Sequence, residues 1–402
     1  MTAAPFSRSP SSFRVIPFSI PRENTFMKSG WKLSMIALSA LLQSACGTTT
    51  LSEDAPDDGA VPLAAADCAA GNTAALQDLG DDVPDGTGTP VTAMTIKNVG
   101  GTGSYERVTH MVPGVWGQAC PSNACQKATT PVSGALAPFN EELTVNFRGP
   151  MELYDIAVYR PDASSWKRVS SWNRCGSTNL TFFNNLGGTG SGEWTLCGGN
   201  SQSYASADAK TAVAAPTRFN GTLENRVEMN ILSDEPCNGT GDASECGFYR
   251  GVTRHGWAGA KIFAIRVRMP RYTGPITEYY DDVPAIWMLN ARVVRTAQYG
   301  CNCRGMGSPG GCGELDVAEV IHGEHPMHAT STLYSFEGAT GSGPNYFMRP
   351  VKESATFIVI FDASGKVQML RLRPDAFDFG DSVSNATVST WLAMTGHTMS
   401  MP

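Results

Sequence analysis

Glu314, Asp316 and Glu319 place three carboxylates within six residues of a run that is otherwise mostly apolar, Gly313-Glu314-Leu315-Asp316-Val317-Ala318-Glu319-Val320. A strand alternates faces with period two, so Glu314 and Asp316 point the same way. In a regular strand Glu319 would face the opposite side, but one extra residue in a β-bulge returns it to the face of Glu314. All three acids then line one cleft. Two carboxyl groups held about 5–5.5 Å apart serve a retaining glycosidase, one as nucleophile and the other as acid/base. Three acids on one face repel, so at least one pKa rises, which could keep Glu319 protonated as a general acid. The plain alternative is a solvated strand that happens to be acidic.

Neighbouring residue types extend this reading. Trp287 shares a strand face with Ala285 and Leu289 and is either a platform for a sugar ring or a core tryptophan. Trp257, Tyr279, Tyr280 and Tyr299 are further aromatic candidates. Asn290 and Arg295 either hydrogen-bond substrate hydroxyls or hold their loop. His322, His325 and His328 follow the acidic strand, where they could add polarity to the cleft, with His322 the candidate for substrate contact. Gly323 and Pro326 interrupt the histidines, so no helix face presents them together to a metal. Cys301-Asn302-Cys303 with Cys312 lacks the Cys-x2-Cys pair of ordinary zinc sites. No metal ligand set and no cofactor is expected, a structural calcium ion aside. The chain has no Gly-x-Ser-x-Gly elbow and no His-Glu-x-x-His, which argues against serine-hydrolase and zincin chemistry.

The elements that must position these residues read as strands. The 402 residues include 42 Gly and 25 Pro, with 42% hydrophobic content. That composition gives a turn-rich chain with enough apolar surface for a sizeable core. Alternating or continuous apolar runs at 105–111, 142–147, 152–159, 226–232, 261–270, 283–290, 332–336, 356–361 and 366–372 predict short strands, and their spacing predicts a β-sandwich. The Gly-rich run at 187–192 lacks the Lys-Ser/Thr of a phosphate loop and is a tight turn. The net charge of −7 concentrates in residues 47–90, which carry nine acids and no Lys or Arg. No basic face for nucleic acid is indicated.

Met27 opens a secretory signal: Lys28 and Lys32, a short apolar run from Met35 to Leu42, then Gln43-Ser44-Ala45-Cys46. The run is too short to span a membrane. Residues 1–26 are an upstream extension. The end of the signal resembles a bacterial lipobox, with Gln43 where Leu is preferred. Lipidation of Cys46 would anchor the chain at a bacterial outer membrane; ordinary cleavage would leave Cys46 for a disulfide. Residues 47–90 are too polar to order themselves and read as an acidic flexible linker. An N-terminal β region, 91–165, then precedes a sandwich over 166–402, with which it could form one unit. Ten cysteines besides Cys46 imply an oxidising compartment. Their spacing suggests the pairs Cys120–Cys125, Cys175–Cys197 and Cys237–Cys246, with Cys312 joined to Cys301 or Cys303.

Three segments in fixed order resemble glycoside hydrolase family 16, the laminarinase and lichenase type: Arg266-Val267-Arg268-Met269-Pro270, Pro284-Ala285-Ile286-Trp287-Met288-Leu289, and Glu314-Leu315-Asp316-Val317-Ala318-Glu319. A closer resemblance, over most of 100–380, is to the Tos-type cell-wall glycosidase family known mainly from fungi. It is carried by Asn146-Phe147-Arg148-Gly149-Pro150, Phe183-Asn184-Asn185-Leu186-Gly187-Gly188, Cys246-Gly247-Phe248-Tyr249-Arg250-Gly251, Arg295-Thr296-Ala297-Gln298-Tyr299 and the Cys301–Asp316 segment. The resemblance implies a concanavalin-like jelly roll of two antiparallel sheets with a concave glycan-binding face. It assigns Glu314 as nucleophile, Asp316 as its hydrogen-bonding partner and Glu319 as acid/base. The expected protein is a monomeric glycosidase that cleaves β-glucan, β-1,3-linked, with retention of configuration. A transglycosylase would use the same residues, and a non-catalytic carbohydrate-binding module would use the same sandwich for adhesion. No final strand of the family 16 sandwich is evident after Trp391; either a strand from the N-terminal region fills that place or the edge is shorter.

Overall fold

Leu143, Val145 and Phe147 alternate with Thr144, Asn146 and Arg148, and the strand they form, Leu143–Arg148, is buried on both faces. Its apolar side faces the space between two large sheets; its polar side faces outward, under a cover of loops. This double burial repeats in Ala285–Asn290 and Glu314–Val320 and explains why those sequences read as nearly continuous apolar runs interrupted by charges.

The computed structural model describes residues 84–111, 125–187, 201–237, 254–323 and 325–402. Among them, one sheet has eleven strands and a second has ten, giving the all-β sandwich that the strand spacing predicts. In the first sheet the acidic strand Glu314–Val320 lies between His328–Ser335 and Ala285–Asn290. Leu143–Arg148 and Glu228–Leu232 follow on the far side of Ala285–Asn290. The second sheet centres on Met151–Pro161, Lys261–Arg268, Ala355–Asp362 and Lys366–Leu372. Phe147, Ile286, Met288 and Leu315 from the first sheet meet Ile156, Phe263, Ile265 and Phe357 from the second in one continuous core. On the outer face of the second sheet, Val388 and Trp391 of the helix Asn385–Ala393 cover Ile358, Ile360 and Leu370. No helix among the described residues is long and apolar enough to cross a membrane.

The structure departs from the sequence reading in several places. A last strand does exist, His397–Ser400, and it pairs in parallel with the N-terminal strand Ala93–Lys97, which also pairs with Lys366–Leu372. Thr89–Pro90 likewise runs parallel to Asn345–Met348. The sheets are therefore mixed at their edges rather than wholly antiparallel, because the N-terminal segment joins from outside the hairpin series. The same pairing places residues 84–90 against the sandwich, although composition alone assigns them to a flexible linker. The remainder of that linker, the signal and Cys46 lie outside the described residues.

Strands from 91–165 and 166–402 interleave in both sheets. Gly103–Met111 and Cys125–Val132 form a separate two-stranded ribbon. It rests on the loop that precedes the acidic strand: Glu106 N donates to Gly310 O at 2.8 Å and Gly310 N to Ser104 O at 3.0 Å. Cys125 of the ribbon is bonded to Cys301, 176 residues away, which corrects the expected Cys120–Cys125 pair. Proximity in sequence misled because the ribbon folds back over the loop. Cys312 is joined to Cys303, one of the two partners anticipated. Cys175 and Cys237 are also disulfide-bonded; the expected partners Cys197 and Cys246 lie outside the described residues.

Candidate active site

The acidic strand contains the bulge that its spacing requires. Asp316 pairs with Thr332 and Glu319 with Thr330, so three steps on one strand oppose two on the other. On the opposite flank the register likewise shifts between Ile286 and Trp287. The extra residue lets Val317 and Ala318, adjacent in sequence, both join the inter-sheet core with Leu315 and Val320. Glu314, Asp316 and Glu319 are left on the outer face, where all three line a groove of 340 Å³. That is within the size range of ligand sites, about 300–1,000 Å³.

Register across four strands sets the contacts of Glu319. Glu319, Ala285, Arg148 and Glu228 lie in one row. The small side chain of Ala285 leaves room for Arg148 to reach across it. Its Nη2 donates to Glu319 Oε1 at 3.1 Å, and Nη1 lies 3.7 Å from Glu228 Oε1. Arg148 Nε donates to Val283 O at 2.7 Å, which fixes the fork. Arg295, largely shielded from solvent, makes an ion pair with Glu228. Burial and the neighbouring Arg148 cation lower the pKa of Arg295 to about 9.

Glu314 is fully buried, and Arg304 lies over it. Arg304 Nε donates to Glu314 Oε1 at 2.8 Å, and Nη2 reaches Asp316 Oδ2 at 3.4 Å. Oε2 of Glu314 is buried without a hydrogen-bond partner. The guanidinium is held between the rings of Tyr299 and Tyr334, 5.4 and 4.8 Å from their centroids. Its loop is fixed by the Cys303–Cys312 bridge and by turns so tight that a Cβ on Gly311 would lie 1.8 Å from Asn302 O. Burial, then the charges of Glu319 and Glu314, push Asp316 well above the usual carboxylate range. Burial also raises Glu314, opposed by the hydrogen bond and charge of Arg304. Of these two, Asp316 is the more strongly displaced.

The other anticipated residues divide. Trp287 lines the groove but is only 5% exposed: its Nε1 donates to Gln298 Oε1 at 3.0 Å and Arg148 lies over its ring, so it forms the wall. Tyr299, 62% exposed, lines the groove at its rim, as does Tyr280. Arg295 lines the groove through its pair with Glu228. Asn290 does not line it; the side chain, 2% exposed, donates to Glu141 Oε2 at 2.9 Å. His322 stacks near Tyr279, with centroids 5.1 Å apart, and is not among the groove-lining residues. Trp257 is a core residue whose Nε1 donates to Ser170 Oγ. Arg148, Glu228, Gln298 and Arg304 are groove residues that the sequence reading left without a role.

A mixed-edge β-sandwich with a carboxylate-lined groove on the outer face of one sheet defines the class of protein. This chain belongs to the Tos1/YJL171C family of cell wall proteins: the model of the family's C-terminal region matches residues 164–391 and that of its N-terminal region matches 92–161. The two matches meet in the turn between the paired strands Met151–Pro161 and Ser165–Asn173. Among curated relatives, the Candida albicans protein named probable circularly permuted 1,3-beta-glucanase PGA52 is 32% identical, over 76% of this chain and 83% of the relative. The Saccharomyces cerevisiae proteins named probable circularly permuted 1,3-beta-glucanase TOS1 and YJL171C are 28% and 33% identical. The first match covers 77% of this chain and 92% of the relative, the second 74% and 78%. No solved structure gives a significant match to the chain.

Proposed function

We propose that this protein is a glycoside hydrolase that cleaves β-1,3-linked glucan by a retaining double displacement. The observation that carries the reading is the bulge at Val317, which brings Glu314, Asp316 and Glu319 onto one groove. The relatives' names, probable 1,3-beta-glucanase, support the substrate class and not the stereochemical course. The groove matches four guanidinium groups (Arg148, Arg226, Arg295, Arg304) with four carboxyl groups (Glu228, Glu314, Asp316, Glu319). Donors and acceptors of both kinds along it suit the hydroxyl groups of a polysaccharide.

In the first step a carboxylate oxygen of Glu314 attacks the anomeric carbon, the glycosidic C–O bond breaks, and Glu319 gives its proton to the departing oxygen. In the second, Glu319 takes a proton from water, the water oxygen attacks the anomeric carbon, and Glu314 leaves as carboxylate. Arg148 holds Oε1 of Glu319, and the exchanged proton is carried on Oε2. Asp316, whose pKa burial and its acidic neighbours push well above the usual carboxylate range, is the hydrogen-bonding partner of the Glu314 carboxylate. Delivery runs through the signal opening at Met27, with lipid attached at Cys46 as the surface anchor. Release of reducing ends by the purified chain from a soluble β-1,3-glucan, with no release from an α-glucan, is the expected result. No release from any β-glucan would refute the reading.

Arg304 sets the ionisation of the nucleophile. Its hydrogen bond and charge oppose the upward push of burial on Glu314, so Arg304→Ala raises that pKa further. Since Glu314 must be ionised to attack, the acid limb of the kcat/KM profile moves to higher pH. Arg304→Lys keeps the charge without the fork and moves it less. A pH titration of kcat/KM for the three proteins checks this. An acid limb that stays in place in Arg304→Ala would separate Arg304 from the nucleophile's ionisation.

A further inference from the structure

Beyond the Glu319 end of the acidic strand, a second group of ligating side chains has no part in the proposed chemistry. Asp85 comes from the N-terminal segment, and His325 and His328 come from the turn and strand that follow the acidic strand. Their ligand atoms all lie within 4.8 Å of one another. We propose that Asp85, His325 and His328 bind a divalent transition metal of the zinc class, and that the ion staples the segment before the sandwich to the turn and strand that follow the acidic strand.

The geometry suits such an ion. Tetrahedral zinc, with bonds of about 2.0–2.2 Å to nitrogen and oxygen, spaces neighbouring ligand atoms by roughly 3.3–3.5 Å. His328 Nε2 and Asp85 Oδ1 are 3.3 Å apart. The His325 ring lies 4.4 Å from that of His328, centroid to centroid, and is only half buried, so a small rotation brings its nitrogen to the same point.

The groups around the ligands orient them, as outer-shell partners of metal sites do. The second oxygen of Asp85 accepts a hydrogen bond from Met327 N at 3.1 Å. The His328 ring is stacked on Tyr346, 3.5 Å between centroids and 9° from parallel. Gly86 lets the segment pass close: its φ is +112°, and a Cβ there would meet His325 Cε1 at 2.5 Å. The two imidazoles border a cavity of 230 Å³, with room for water to complete the coordination shell. Two imidazoles and a carboxylate favour zinc, nickel or copper over calcium, which prefers an all-oxygen shell. The helix-breaking Gly323 and Pro326, which argue from sequence against a metal, exclude only a helical site; the third ligand arrives from 240 residues upstream.

A metal here has a defined structural effect. The segment is otherwise tied to the edge strand by Thr89 N to Pro344 O at 3.0 Å and Val91 N to Tyr346 O at 2.9 Å. An ion shared by Asp85 and the two histidines adds a bond between parts distant in sequence, and its binding free energy becomes stability of that attachment.

Titration calorimetry of the untagged full-length protein, dialysed against EDTA and then supplied with zinc chloride, tests the site. One equivalent is expected to bind and to protect residues 84–90 from limited proteolysis. Asp85→Asn and His325→Ala each weaken that equivalent at least about tenfold, the scale on which even outer-shell changes act, while His322→Ala leaves it unchanged. Calcium chloride gives no comparable protection. Zinc binding that is absent, or the same in Asp85→Asn and His325→Ala as in the unsubstituted protein, would overturn the assignment. Both variants keep the sandwich core intact, and matching thermal transitions without metal confirm that a lost equivalent reflects lost ligands.

Discussion

Glu314→Gln reduces turnover of β-1,3-glucan by roughly four orders of magnitude, the scale expected when a covalent nucleophile is removed, and leaves glucan binding within a few-fold. Glutamine has nearly the shape of glutamate but cannot form the glycosyl-enzyme bond. The fold tolerates it because Glu314 sits in a strand whose neighbours Leu315 and Val317 carry the core contacts. Arg304 keeps Asp316 as a partner at 3.4 Å. Initial rates and a binding isotherm on the same preparation measure the two effects separately. Unchanged turnover would remove Glu314 from the chemistry. A protein that binds glucan equally well in both forms, with no turnover in either, would be a carbohydrate-binding module on the same sandwich.

Glu319→Gln has the second largest effect, a loss of about 10²–10⁴-fold on glucan, the range of general acid–base catalysis. The loss depends on the leaving group. A sugar hydroxyl departs as a poor alkoxide without a proton, so the polysaccharide suffers most. An activated aryl glucoside departs unaided, so its first step is nearly preserved and its glycosyl-enzyme accumulates. Azide needs no general base and is expected to restore turnover of the aryl substrate, yielding a glycosyl azide of retained configuration. Arg148 loses one carboxylate but keeps Glu228 at 3.7 Å, so the row of charges survives. Absence of azide rescue, with the fold intact, would place the acid/base elsewhere.

Much of this site is legible in the chain because its information is local. Three acids at one spacing in an apolar run require a bulge, and the adjacent apolar pair Val317-Ala318 marks where it lies. Strand periodicity also sorts the neighbouring polar residues by face. Asn290 has the parity of Ile286 and Met288, which face the inter-sheet core, and so cannot share the face of Trp287. Arg148 shares the outward parity of Thr144 and Asn146 on a strand predicted from its alternation.

Other features depend on long-range packing. Arg304 is in a loop, where no period tells which way a side chain points. Its position comes from the Cys303–Cys312 bridge and from a ribbon whose Cys125 joins Cys301. The ordering of residues 84–90 is likewise set by partners, Asn345, Tyr346 and His328, more than 200 residues away. Composition assigned that segment to a linker because composition contains no pairing.

The most direct test of the central claim is the configuration of the first product. Proton NMR of a β-1,3-glucan digestion, followed from the first minutes, resolves the new anomeric signals before mutarotation mixes them. Glu314 as nucleophile and Glu319 as acid/base predict that the β-anomer of the new reducing end appears first and the α-anomer only later. An initial α-anomer would mean direct attack by water, and would contradict the assignment of Glu314 and Glu319 as a double-displacement pair.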